Sequence, residues 1–175
     1  GNMVQGEKKD GVCEWYDIEG YALDKYVAEQ GEFLTNKIKN MIVENPDIIN
    51  KQKKDIIYVI SPFKNVAYQL SKELNKIEFT RYDKKGKPTN IGTVHTFQGK
   101  EAPIVFFVLG ADKKCIGAAN WAVGTDNPNI MNVAVTRAKE EFYIIGDKEM
   151  YLSLNSDVIN DTCKIIEKHN MNTSL

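Results

Sequence analysis

Two stretches of this chain are apolar without alternation, "DIIYVIS" at 55–61 and "PIVFFVLG" at 103–110, and both are rich in β-branched and aromatic residues. A strand with one wetted face alternates polar and apolar side chains. A strand that does not alternate has to be covered on both faces, as in a parallel sheet packed between helices. The neighbouring segments supply the helices. Phe33, Leu34, Ile38, Met41 and Ile42 recur at helical spacing over about 30–44, with Pro46 as a stop signal. Val66, Ala67, Leu70 and Leu74 mark a helix over 64–75, after the break at Ser61-Pro62. Further strands are predicted at "CEWYDI" (13–18, ended by Gly20), "IEFTRYD" (77–83), "IGTVHTF" (91–97) and "EFYIIG" (141–146), with a turn at "KKGKPTN" (84–90). An amphipathic helix is predicted near 156–168. This alternation predicts an α/β fold, a mostly parallel β-sheet with helices on both faces. Ligands of such sheets sit at the carboxyl ends of the strands. Three segments are expected to meet there: "SPF" after the 55–60 strand, "HTFQGKE" after 91–94, and the polar loop after 103–109.

Charge limits the partners. The chain has 23 Lys and Arg against 24 Asp and Glu, so any nucleic-acid contact has to come from a local patch. Cys13, Cys115 and Cys163 are odd in number, widely spaced and without histidines at metal-ligand spacing, which predicts no zinc site and no disulfide framework. No apolar run approaches the roughly 20 residues that span a bilayer, and no signal peptide is visible. A cytoplasmic location is therefore expected. Gly1-Asn2-Met3 reads as a junction added ahead of a native segment, so residues 1–12 are expected to be disordered or cloning-derived, and 169–175 a flexible tail.

Two polar features stand out against the apolar framework. With Asn127 as an N-cap and Pro128 as the first helical residue, steps of about 100° place Ile130, Met131, Val133, Ala134, Val135 and Ala138 on one side of a helix. Arg137 falls inside that arc, while Asn129, Asn132, Thr136 and Lys139 lie opposite. Either Arg137 is a surface cation near a helix end, or its guanidinium is mounted on a packed platform and aimed at an anion. The second feature is "GTVHTFQGKEAPIVFF" (92–107), where a polar loop precedes a wholly apolar strand. Gly99 there permits a close approach or a positive φ, and Glu101 is placed to accept hydrogen bonds from a sugar hydroxyl.

In this order, "ISPFKNVAYQL", "GTVHTFQGKE" and "NVAVTRAK" resemble motifs IV, V and VI of superfamily 1 helicases, in the branch typified by the nonsense-mediated-decay RNA helicase. The resemblance covers about 13–147 and implies the second, C-terminal RecA-like domain, set at 13–168. It implies that Arg137 is the catalytic arginine finger reaching the γ-phosphate of ATP. It implies that Glu101 contacts the nucleotide ribose, with Gln98 and Gly99 shaping the ATP-binding loop. Thr93, His95 and Thr96 match positions facing the nucleic-acid strand, and Ser61 and Pro62 match a phosphate-backbone contact.

The chain shows no G-x-x-x-x-G-K-[ST] loop and no acidic pair after a strand. By resemblance these belong to a first RecA-like domain, which would hold Mg2+ and be the partner of this one, with single-stranded DNA or RNA as the track. No metal ligand is assigned here, and the chain alone is expected to be inactive. An alternative is a non-catalytic RecA-like module that binds nucleic acid or a partner. A second is an unrelated flavodoxin-like fold whose helix carries an arginine. Many relatives have an arginine pair where this chain has Asn129 and Ile130. The lysine clusters at 51–54, 84–87 and 113–114 are either phosphate contacts or solvated loops, with the loop reading favoured, and Trp121 either stacks on a base or plugs its loop onto the body, with the plug favoured.

Overall fold

The computed structural model describes residues 11–123, 130–155, 157 and 162. Five strands form a wholly parallel sheet: β1 (Val12–Asp17), β4 (Ile57–Ile60), β5 (Ile91–Gly92), β6 (Ala102–Val108) and β7 (Ala138–Gly146), in the spatial order β1-β7-β6-β4-β5. A separate two-residue hairpin pairs β2 (Ala22–Leu23) with β3 (Tyr26–Val27). The helices are α1 (Ala28–Glu44), α2 (Lys64–Asn75), α3 (Ile116–Val123), α4 (Ile130–Val135) and α5 (Lys148–Leu154). The predicted α/β class and parallel sheet are those of the structure.

Register sorts the two faces. Tyr16, Tyr143 and Phe106 stack across neighbouring strands, and Phe33 of α1 packs on Tyr16 at 5.0 Å between ring centroids. That face is covered by α1, which packs against α2. The alternate residues face the other way: Phe107 lies over Phe142, Trp15 over Tyr151 of α5, and Tyr58 over Phe97. All four residues of β4 are buried, as the unbroken apolar pattern requires.

The chain winds in two directions. From β1 to β4 and from β4 to β5 it advances along the sheet through α1 and α2. From β5 to β6 and from β6 to β7 it runs back. Crossovers of one hand change faces when they reverse direction. The switch point is therefore the crevice between the carboxyl ends of β4 and β6.

The β2–β3 turn fills that crevice. Asp24 and Lys25 both have positive φ, 46° and 68°, the backbone of a tight hairpin turn. The Asp24 carbonyl accepts the Asn65 side-chain amide at 2.9 Å, and the Lys25 carbonyl accepts the Ala111 N–H at 2.7 Å. Beneath it the buried Gln30 amide donates to the Ile18 carbonyl and accepts the Gly110 N–H, each at 2.9 Å. The exits of β1 and β6, the start of α2 and the hairpin are thereby tied together.

Several expectations are corrected. Residues 77–83 form no strand: only Tyr82 bridges to Pro88, while the Arg81 guanidinium donates to the Lys53 and Asn50 carbonyls and the Asn90 side chain takes the Arg81 N–H. Side chains and loops consume the hydrogen bonds a strand would use. The strand expected over 91–94, ending in a loop by 97, stops at Gly92, and Val94–Phe97 form a 3-10 turn. The helix carrying Arg137 ends at Val135, and β7 starts at Ala138, because pairing with β6 captures the backbone: the Arg137 carbonyl accepts the Ala102 N–H at 2.9 Å. Helix α5, capped by Asp147, follows β7 without having been predicted. Cys13 is disulfide-bonded and Cys115 free, against the expectation of no disulfide framework. The proposed cap at Asn127-Pro128, the helix near 156–168 apart from 157 and 162, residues 1–10 of the leading segment and the 169–175 tail lie outside the described residues. No helix among the described residues is long and apolar enough to cross a membrane.

Gly110 has φ +62°, and a Cβ there would overlap the Lys25 carbonyl oxygen. Gly110→Ala is therefore expected to lower the unfolding free energy by about 1–3 kcal/mol, read from the urea midpoint. Gly117→Ala, in open space on α3, leaves the midpoint unchanged or slightly raised.

Candidate functional site

Nine residues, 93–101, return the chain from the carboxyl end of β5 to the amino end of β6, too few for a crossover α-helix. They make a 3-10 turn whose Phe97 is fully buried with its ring 4.5 Å from that of Tyr58, closing the sheet face beneath. Along this segment opens a cleft of about 960 Å³. Its walls come from four places: the hairpin turn at Asp24 and Lys25, the β4–α2 junction from Pro62 to Asn65, the segment Thr93, Val94, His95 and Gln98, and the α3–α4 side with Trp121, Ile130, Val133 and Arg137.

Five of the residues singled out from the sequence therefore line one cleft: Pro62, Thr93, His95, Gln98 and Arg137. The other four do not. Ser61 is fully buried, and its hydroxyl accepts the Phe63 N–H at 3.2 Å in the turn that opens α2. Thr96 turns back on Gly92, where an added Cβ would overlap its hydroxyl. Gly99 has the positive φ its type suggested, +74°, and sits exposed with open space around it. Glu101 is exposed and lies immediately before β6.

Arg137 is placed differently from the sequence expectation. It follows α4, in the turn that enters β7, and so lies at the amino end of its strand. Its Nη1 donates to the Phe97 carbonyl at 3.2 Å and more distantly to the Lys100 carbonyl at 3.5 Å. Among the described residues no acid forms an ion pair with it, and its Nε is buried without a partner in the protein. A buried donor left unpaired costs about 1–3 kcal/mol, and an uncompensated guanidinium on a cleft wall attracts an anion. The carbonyls of the 93–101 segment thus hold the cation in position without neutralising it.

Sequence reasoning named Trp121 but missed Phe63 and Lys25, which form an aromatic and cationic wall with it. Phe63 is 7% exposed, Trp121 stands beside it at 5.8 Å between centroids, and the Lys25 ammonium lies 5.7 Å from the Phe63 ring. Trp121 remains 46% exposed, so it packs on the body through Phe63 and still presents a face to the cleft. Nothing in the sequence marked Asp24-Lys25, because the usual Asn-Gly or Asp-Gly signal for such a turn is missing.

A second cleft, of about 400 Å³, lies at the exits of β6 and β7 between Glu19, Glu29, Asp112, Asp147, Lys113 and Lys114. Two of its acids, Asp112 and Asp147, already serve as caps. Asp112 accepts the Ala22 N–H at 2.7 Å and the Lys114 N–H at 2.9 Å, bonds that hold its carboxyl below the usual range, and Asp147 caps α5. Among the described residues no group of three or more His, Cys, Asp or Glu is arranged to hold a metal ion.

Two comparisons bear on this arrangement. The family model described as "AAA domain" matches residues 15–149. Helicase sen1 of Schizosaccharomyces pombe is 30% identical over 142 residues, 77% of this chain, which spans only 8% of that protein's length.

The open face of Trp121 is directly measurable. Trp15 is tied through its indole N–H to the Gly146 carbonyl at 3.1 Å and covered by Tyr151. Trp121→Phe is therefore expected to remove most of the acrylamide-quenchable fluorescence, while Trp15→Phe leaves it. Equal quenching in both variants would make Trp121 a closed plug.

Proposed function

Because this chain belongs to the AAA domain family, we propose that it is the second RecA-like half of an ATP-dependent helicase motor, contributing an arginine finger and part of a single-strand track. The observation that carries this reading is Arg137: a permanent cation on a cleft wall, held by backbone carbonyls and paired with no acid among the described residues. The relative sen1, a helicase by name, supports the class of activity.

In this reading the cleft wall faces a nucleotide held by a first domain. That domain would also hold Mg2+, which neutralises charge on the β- and γ-phosphates. Arg137 then stabilises the charge that develops on the transferred phosphoryl group, an effect worth about 10³–10⁵ in rate for fingers of this kind. Its mount suits the task, since a donor fixed beforehand pays no reorganisation when charge appears. Gln98, with Gly99 and Glu101 just beyond it, serves the nucleotide side. Pro62, Thr93 and His95 serve the nucleic-acid backbone, a contact that reads no sequence. Both sets meet on the 93–101 segment, whose carbonyls also hold Arg137. A shift of that segment on nucleotide binding would therefore move strand contacts and finger together.

The 175-residue chain alone is expected to show no ATPase activity with or without single-stranded DNA or RNA. In the intact parent protein, Arg137→Ala should lower kcat at least about a hundredfold with single-strand affinity nearly unchanged. Arg137→Lys should restore little, because lysine lacks the planar fork. Lys139→Ala, on the exposed start of β7, should behave as wild type. If Arg137→Ala leaves kcat within about threefold, the finger assignment fails. Submicromolar binding of single strands by the chain alone would favour a stand-alone binding module instead.

A further inference from the structure

Two lysine clusters thirty residues apart in sequence meet at the amino edge of the sheet, ahead of β4 and β5. Arg81 joins them: its guanidinium donates to the Lys53 carbonyl at 2.7 Å and the Asn50 carbonyl at 2.8 Å, and Lys51 reaches back to the Glu78 and Thr80 carbonyls. From Arg81 the chain runs out and back as an arm, closed by the Tyr82–Pro88 bridge and the Thr89 to Arg81 hydrogen bond, with Gly86 at its tip at φ +78°.

The charge of this edge is lopsided. Segments 51–54 and 81–87 together carry +6 in a chain whose total is −1, leaving −7 for everything else. Lys53, Lys54, Lys84, Lys85 and Lys87 are exposed, and none forms an ion pair with an acid among the described residues. The arm's own acid, Asp83, is occupied in shaping the turn, accepting the Lys85 and Lys87 N–H groups at 2.8 and 2.9 Å. Tyr82 stands 48% exposed among these cations. The patch also continues toward the cleft, because Lys100 is close enough to act on the Asp55 carboxyl that pairs with Arg81, and its carbonyl is a partner of Arg137. Gathering like charges opposes folding, and a polyanion that releases its counterions offsets that penalty.

We propose that this lysine arm is a second nucleic-acid contact, gripping backbone phosphates outside the cleft. It rests on the nucleic-acid partner of the reading above and not on the arginine finger. The contact is to phosphates, so it is indifferent to sequence and strongly dependent on salt.

The test measures binding by the 175-residue chain without nucleotide, using a labelled single strand and a labelled duplex with a single-stranded overhang, across a salt series. Wild type should bind in the micromolar range at low salt. Lys85→Glu with Lys87→Glu should weaken binding about tenfold or more and reduce the log–log salt slope by about two. Lys113→Glu with Lys114→Glu makes the same charge change beyond the opposite sheet edge and should have little effect. A larger loss on the overhang duplex assigns the arm to duplex phosphates, and an equal loss assigns it to the strand leaving the cleft. Equal effects of the two double variants, or no wild-type binding to either substrate, overturn the proposal. Binding that resists the arm variant but falls with His95→Ala overturns the arm and keeps the cleft reading. The motor reading fails separately, in the ATPase response to Arg137.

Discussion

A parallel sheet obliges every connection to cross one of its faces, and here the shortest of them, residues 93–101, crosses without a helix. The consequences reach most of the site. Phe97 has to seal the face over Tyr58, since no helix is there to do it. The carbonyls of a 3-10 turn are less completely used within the turn than those of an α-helix, and two carbonyls of this segment, from Phe97 and Lys100, are taken by Arg137. The same nine residues thus cover the core, line the cleft and fix its cation. A substitution that lengthened this crossover would disturb all three.

The second organising contact is the hairpin turn in the switch-point crevice. Its two left-handed residues, neither of them glycine, carry a backbone strain of order 1–3 kcal/mol each. The hydrogen bonds from Asn65 and Ala111 offset it, and Gly110 provides the close approach. With the crevice filled by the chain itself, the open volume shifts toward the exit of β5. This explains why the loop after β6 does not line the main cleft, although its position at a strand end made it a natural candidate.

Electrostatics divide the molecule in a way its near-zero net charge conceals. One edge is acidic, with carboxylates consumed as caps around the exits of β6 and β7. The opposite edge holds exposed lysines organised by Arg81 and without an acid partner among the described residues. Between them Arg137 is held by the Phe97 and Lys100 carbonyls, with no acid paired to it among the described residues. The chain belongs to the AAA domain family, and a cation held in place beforehand is what the proposed motor role calls for.

The sequence alone determined the fold class, because an unbroken apolar run such as "PIVFFVLG" has one stable use, a strand with both faces buried. It also determined α2, predicted at about 64–75 and found at Lys64–Asn75, since periodicity and the Ser61-Pro62 break act within one turn of chain. Arg137, Thr93, His95, Gln98 and Pro62 were singled out by residue type and motif order, and they line one cleft. Where they would meet was not legible in the sequence. Local propensity extends a helix through Arg137, and only strand pairing with β6, a partner thirty-five residues away, ends it at Val135. The same holds for the failed strand at 77–83, whose hydrogen bonds went to Asn90 and the 50–53 loop, and for Asp24-Lys25, which joined the cleft through contacts to α2 and to the exit of β6. Patterns within a few residues are written in side-chain type, whereas the meeting of distant backbones depends on which long-range hydrogen bonds prevail, and that is decided only when the sheet closes.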